Sequence, residues 1–206
     1  MIPTRRREIR VIAFDLGNVL VQVDHFIFCR QLAQVAGTTP AAVYEAVFAS
    51  SLEPGYDTGR MSTEEFFQAV CAQWQVSLSL AQFASWWNSI FAPMPGMEAV
   101  VEHLAAAYPL HLLSNTNSLH FQYIRENYPL LAPFRSFVLS YEVGSRKPEA
   151  AIYQALIRRA ERAPEEILFV DDKPEFVAAA QAQGLQAWQF TDRDRLIRQL
   201  QDEGLW

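Results

Sequence analysis

The sequence predicts an α/β protein: a parallel sheet with helices on both faces, interrupted by an inserted all-helical segment. Two observations carry this. From Met97 onward, short apolar runs of strand type alternate with amphipathic helical stretches, the pattern of a parallel sheet. A matching run, Val11-Ile12-Ala13-Phe14-Asp15, opens the chain, and between the two every periodic stretch is helical. A chain of 206 residues, half hydrophobic and about a fifth charged, buries a full core as one domain or one domain with an insert.

Ile9 to Phe14 is the first expected strand, and it delivers a carboxylate, Asp15, at its end. From Asp24, Phe26, Leu32 and Val35 recur near helical spacing until Gly37. Pro40 opens a second helix, and Glu53-Pro54-Gly55 reads as a turn or loop. Ser62 and Glu65 form a capping box for a third helix through Phe66, Phe67, Val70 and Trp74. Leu80 to Phe91 is a fourth, and Ala92-Pro93-Met94-Pro95-Gly96 is a breaker-rich joint. Residues 1–20 and 96–206 are therefore assigned to an α/β core and 21–95 to a helical insert.

Within the second part, Glu98 to Ala106 is helical, and Leu110 to Leu113 is a strand ending in Ser114-Asn115-Thr116-Asn117. A helix follows through Phe121 and Ile124, then a strand at Phe137 to Leu139. Pro148 sits at the first position of the next helix. Ile167 to Val170 is a strand ending in Asp171-Asp172, followed by a helix from Pro174 to Gln183. Ala187 to Phe190 is the last strand, and Asp192 caps a final helix. Ligands of such sheets bind at the carboxyl ends of the strands, where Asp15, Ser114, Asn115, Asp171 and Asp172 all fall.

The net charge of −6 gives no reason to expect nucleic-acid binding, and Arg5-Arg6-Arg7 reads as a solvated arm. The two cysteines, Cys29 and Cys71, fit free thiols of a reducing compartment. No signal peptide or membrane-spanning stretch is expected, so the default location is cytoplasmic. Oligomeric state is left open.

Four pieces form one chemical set: Asp15-Leu16-Gly17-Asn18-Val19, Ser114-Asn115-Thr116, Arg146-Lys147-Pro148 and Asp171-Asp172. A carboxylate can attack phosphorus and split one hard step into two. Attack by an anion on an anion needs charge relief, which Mg²⁺ on oxygen ligands would supply. Asp15 and a carboxylate of the late acidic pair are suitable ligands. A hydroxyl and backbone N–H groups at Ser114-Asn115 suit phosphate oxygens, and a lysine adds a point charge. Of seventeen basic side chains only two are lysines, Lys147 and Lys173, and both lie beside these motifs. Lys173 suits a surface loop as well as a role.

In this order the four pieces resemble the haloacid dehalogenase-like hydrolase superfamily, over nearly the whole chain. The run Phe14 to Val19, with Leu113 to Asn117 and Arg146 to Glu149, is most similar to a bacterial sugar-phosphatase branch that includes an α-D-glucose-1-phosphate phosphatase. The resemblance implies a Rossmann-like core with a small helical cap at 21–95. It implies Asp15 as nucleophile and Mg²⁺ ligand, and the Gly17 carbonyl as a further ligand. It implies Ser114 and Asn115 as phosphate binders, Lys147 as charge stabiliser, Asp172 as direct metal ligand and Asp171 as an outer or shared one. The implied reaction is Mg²⁺-dependent hydrolysis of a small phosphorylated metabolite, a sugar phosphate, through an aspartyl-phosphate. The competing readings are a metal-free hydrolytic dehalogenase and a catalytically weak relative that binds phosphate ligands or a partner.

Two departures stand out. Most phosphatases of the family carry a general acid and base where this chain has Gly17. Asp24 and His25 are the nearest substitutes, with capping of the first inserted helix as the alternative. Phe176 stands where an Asp or Asn is frequent, which puts the hold on Lys147 in question. His120, Arg60 and the tryptophans Trp74, Trp86 and Trp87 are further candidates to face substrate, against surface or core roles.

Overall fold

The computed structural model describes residues 8–206; the Arg5-Arg6-Arg7 arm lies outside them. In chain order the elements are β1 (Val11–Phe14), β2 (Val21–Val23), α1 (His25–Ala36), α2 (Pro40–Val47), α3 (Leu52–Asp57), α4 (Thr63–Trp74), α5 (Leu80–Asn88) and β3 (Phe91–Pro93). They continue with α6 (Met97–Ala105), β4 (Leu110–Ser114), α7 (Ser118–Asn127), β5 (Phe134–Leu139), α8 (Ser140–Val143), α9 (Ala150–Ala160), β6 (Ile167–Asp171), α10 (Pro174–Ala182), β7 (Gln186–Gln189) and α11 (Arg193–Asp202).

Five strands pair in parallel in the order β5-β4-β1-β6-β7. Every residue of β1, β4 and β6 is buried, which is why these strands read as apolar runs. Alternation sends Ile12 and Phe14 to one face and Val11 and Ala13 to the other. The first face packs against α6, α7 and α11 through Val101, Ile124 and Leu196. The second packs against α9 and α10 through Leu156 and Ala180. From β1 the chain builds outward through β4 and β5, then crosses to build β6 and β7 on the other side. β1 is thus the switch point, and the crevice at its carboxyl end is where the topology places a ligand.

Helices α1 to α5 enclose a separate core of Phe28, Leu32, Val43, Phe66, Val70, Phe83 and Trp87. Trp87 stacks on Phe48 at 5.3 Å and meets Phe28 edge-on at 4.9 Å. The expected caps are in place: Asp24 accepts from the Phe26 N–H, Ser62 and Glu65 close a capping box, and Asp192 accepts from the Arg195 N–H. Cys29 and Cys71 are both free thiols.

The segment is not helical throughout. It begins and ends in a two-stranded antiparallel ribbon, β2 with β3, which brings its entry and exit together. Three-residue strands show no periodicity, and Pro93 in the second argues against one. α5 accordingly stops at Asn88, short of Phe91. The largest miss is α3, read as a loop because of Pro54 and Gly55. Pro54 lies in its first turn, where the missing N–H has no helical partner to lose. In the core, Pro148 follows a cis Lys147–Pro148 bond and the helix opens later, at Ala150.

Truncating Trp87 to Ala should cost about 3–5 kcal/mol in urea unfolding, because its indole fills the centre of the helical core. A loss under about 1 kcal/mol would mean that the surrounding rings collapse into the space.

Candidate active site

Asp15 continues the strand pairing of β1 by one residue, its N–H donating to the Val170 carbonyl at 2.9 Å. The turn beyond it is tight. Asn18 adopts a left-handed φ of 56°, which Asn tolerates, and its Oδ1 accepts from the Val23 N–H at 3.1 Å. The Val21 N–H bonds to the Leu16 carbonyl and the Asn18 N–H to Val21. Gly17 lines the cleft, and no hydrogen bond among the described residues occupies its carbonyl.

Lys147 is buried, and its Nζ lies 2.6 Å from Asp15 Oδ1 and 2.6 Å from Asp171 Oδ2. Burial opposes its charge, but the two carboxylates outweigh burial and raise its pKa. For Asp15, burial pushes the carboxyl up to about 7, with Lys147 pulling down and Asp171 pushing up. Asp171 is fully enclosed and spends both oxygens, one on Lys147 and the other on the Lys173 N–H at 2.8 Å. Asp172 is half-buried, lines the cleft, and has its pKa raised by burial and by Asp171. Phe176 packs where the resemblance leads one to expect an Asp or Asn. The Lys147 ammonium lies 5.1 Å from its ring centroid and 5.4 Å from that of Phe169, a cation–π setting that adds to the hold of the carboxylates.

Asn115 clasps the Lys147 backbone in both directions, donating to its carbonyl at 3.0 Å and accepting from its N–H at 2.7 Å. The Asn115 side chain is therefore committed to placing Lys147, and only its backbone faces a ligand freely. Ser114 and Thr116 are buried and line the cleft beside it.

Oxygen atoms of Asp15, Asp171 and Asp172 lie within 4.8 Å of one another. Three carboxylates against one ammonium leave a formal charge of −2, and an all-oxygen donor set of that charge suits a hard dication such as Mg²⁺.

The cleft spans about 770 Å³ including its open mouth, and the inserted segment forms its other wall. Of the sequence candidates there, Asp24 is turned away as the α1 N-cap and is paired with Arg30 at 3.2 Å. His25 does line the cleft, packed on Phe48 at 4.4 Å, and burial first, then Lys173, lowers its pKa to about 4. Lys173 and His120 also line it, whereas Arg60 and the three candidate tryptophans do not. His120 is a core residue: burial lowers its pKa to about 3, and both ring nitrogens are engaged, with Asn117 and with the Trp87 carbonyl. Two cleft acids escaped sequence reading, Glu53 and Asp57 on α3. Their spacing of four residues would have marked one face of a helix, had the Pro-Gly pair not hidden the helix.

Residues 9–184 match the haloacid dehalogenase-like hydrolase family. The chain belongs to that family. A D-ribitol-5-phosphate phosphatase of Bacteroides thetaiotaomicron is 23% identical over 188 residues, covering 88% of this chain and 91% of that one. A sesquiterpene phosphatase of Aspergillus oryzae is 22% identical, covering 87% and 88%. A haloacid dehalogenase-like enzyme of B. thetaiotaomicron, solved with magnesium and inorganic phosphate, superimposes with a TM-score of 0.81 at 24% identity, covering 89% of this chain and 95% of that one. No helix among the described residues of this hydrolase is long and apolar enough to cross a membrane.

Replacing Lys147 by Met leaves two buried carboxylates without their cation. It should cost about 3–5 kcal/mol near neutral pH, measured by urea unfolding in chelator. Without the ammonium the folded-state pKa of Asp15 rises further above its unfolded value, so the penalty grows as pH rises through the parent's folded value of about 7 and shrinks in acid. A loss that is the same at about pH 5 and about pH 8 would show that Lys147 does not balance these acids.

Proposed function

We propose that this hydrolase is a Mg²⁺-dependent phosphomonoesterase acting on a small, hydroxylated phosphate ester such as a sugar phosphate. The observation that carries the reading is the three-carboxylate cluster of Asp15, Asp171 and Asp172 against a single buried lysine. A metal-free carbon–halogen hydrolysis has no use for a cluster of that charge.

Asp15 is the nucleophile. Lys147 already holds one of its oxygens, which fixes the carboxylate and leaves the other to attack phosphorus. Ser114, the Asn115 N–H and Lys147 receive the phosphoryl oxygens as charge shifts onto them. Asp15, Asp172 and the Gly17 carbonyl would hold Mg²⁺, and Asp171, with both oxygens spent, orients from behind. The bound ion would relieve repulsion between the anionic nucleophile and the phosphoryl group. A water then attacks the aspartyl-phosphate and restores Asp15.

Residues 21–95 serve as the cap that excludes bulk water and selects the organic part of the substrate. Their share of the cleft includes Glu53, Asp57 and His25, polar groups suited to a sugar or sugar alcohol, with Val23, Ile90 and Phe91 giving a smaller apolar contribution. The ribitol-phosphate phosphatase among the relatives supports that chemistry more than the terpene phosphatase does. The free cysteines favour a reducing, cytoplasmic location.

Phosphate release should be seen from several sugar and sugar-alcohol phosphates and from an activated aryl phosphate with Mg²⁺, and should vanish with chelator. Asp15→Asn should abolish it while leaving the unfolding free energy within about 1 kcal/mol of the parent. Release that persists in chelator, or in Asp15→Asn, would remove the metal or the nucleophile from this account. Lys147→Ala should lower kcat by roughly 10²–10³ or more; a near-native rate would place Lys147 outside the chemistry.

A further inference from the structure

Expulsion of a sugar alkoxide needs a proton, and hydrolysis of the intermediate needs a base to take one back. The groups nearest the nucleophile supply neither. Leu16, Gly17 and Asn18 carry no titratable side chain, Lys147 is locked between two acids, and Asp171 spends both oxygens. Of the other titratable groups lining the cleft, His120 has both nitrogens engaged inside the fold, and Arg146 and Lys173 are donors with no lone pair to take a proton back. His25 packs its ring on Phe48, and burial leaves it a neutral imidazole, a poor acid. With Asp172 set aside as a proposed metal ligand, Glu53 and Asp57 remain.

The two differ in how they are held. The Glu53 side chain makes no hydrogen bond or ion pair among the described residues. Asp57 is 4% exposed, and its Oδ1 accepts from Asn117 Nδ2 at 3.1 Å. Asn117 is itself fixed on every side: its Oδ1 accepts from the Trp87 indole at 3.3 Å and from the His120 N–H at 3.1 Å, and its amide meets His120 Nδ1 at 3.1 Å. Asn117 follows the Ser114-Asn115-Thr116 run directly, so Asp57 is anchored to the end of the proposed phosphate loop. Among the described residues Asp57 Oδ2 has no hydrogen-bond partner; it reaches solvent, and Asp57 lines the cleft.

Resting on the phosphatase reading above, we propose that Asp57, oriented by Asn117, is the general acid and base of this enzyme. In the first step Asp57 Oδ2–H gives its proton to the leaving oxygen as the P–O ester bond breaks and the Asp15–phosphorus bond forms. In the second, the Asp57 carboxylate takes a proton from water as water oxygen bonds to phosphorus and the Asp15–phosphorus bond breaks. Alcohol and phosphate leave, and Asp57 is protonated again. Burial, opposed by Asn117 and then by Arg146, raises the Asp57 pKa to about 6, a value suited to both halves of this cycle. Glu53 and Arg146 are the titratable or charged groups that face Asp57 from α3 and from the loop before Pro148, with His120 beyond Asn117 and Lys173 beyond Glu53.

The test is kcat/KM with Mg²⁺ over phosphate esters of graded leaving-group basicity, from an activated aryl phosphate to a sugar phosphate, for the parent, Asp57→Asn and Glu53→Gln. Asp57→Asn keeps the shape and can still accept from Asn117. It should lose ~10²–10⁴-fold on the sugar phosphate and under about tenfold on the activated ester, so that its rate falls steeply with leaving-group basicity. Gly17→Asp in the Asp57→Asn background should recover part of the loss on the sugar phosphate; its Cβ would meet only Val23 Cγ2, at 3.2 Å. Equal losses on both esters, or no loss, would overturn the assignment to Asp57. The steep pattern in Glu53→Gln instead would move the role one turn along α3. Should Asp57→Asn fold poorly, Asn117→Ala gives the second reading, with a graded loss on poor leaving groups expected and a uniform one overturning the proposal. Absence of Mg²⁺-dependent release by the parent enzyme would sink the phosphatase reading itself and Asp57 with it; a parent active on these esters isolates the failure to Asp57.

Discussion

The Lys147 ammonium, enclosed between Asp15 and Asp171, is the contact on which the rest of the site depends. Taking three charges out of water is expensive, and the cost is recovered only if their geometry is held. The fold holds it from every side. Parallel pairing of β1 with β6 sets Asp15 and Asp171 side by side at the same sheet edge. The two-way clasp of Asn115 on the Lys147 backbone fixes the lysine from β4. Phe169 and Phe176 close over the ammonium with ring faces. A hydrogen-bonding acid at position 176 is therefore not required to keep Lys147 in place.

The same economy governs the joint between the helical segment and the sheet. Asn117 caps α7 through its side chain, donates to Asp57 of α3 and accepts from Trp87 of α5. One residue at the end of a core strand thus orders two helices of the insert. Tyr56, Thr63 and Ser118 form a second hydroxyl cluster across the same boundary, with separations of 2.8 to 3.2 Å. The wall of the cleft that meets the organic part of a substrate is set by these bonds, and the ribbon of β2 and β3 keeps the two crossings of the chain adjacent.

The candidate site divides the same way between what was readable and what was not. Asp15, Ser114, Asn115, Lys147, Asp171 and Asp172 were readable because each follows an apolar strand or sits in a short local motif, and strand ends converge in a parallel sheet. Of the two readings open for Asp24, the structure shows the capping one: its side chain is used locally, on the Phe26 N–H and Arg30. Glu53 and Asp57 were invisible because Pro54 and Gly55 conceal a short helix whose first turn tolerates proline. Asn115 lines the cleft, but its side chain grips the lysine backbone and leaves only main chain for a ligand.

The sequence by itself determined the sheet, its flanking helices and the convergence of the motif residues, because strand periodicity, capping and burial are local patterns written every few residues. Only the tertiary structure decided which cap groups reach the cleft, which oxygen of each acid is already spent, and that Asn117 links the proposed phosphate loop to Asp57. Those outcomes depend on contacts between residues some sixty positions apart, and neither composition nor spacing encodes the direction in which a side chain points.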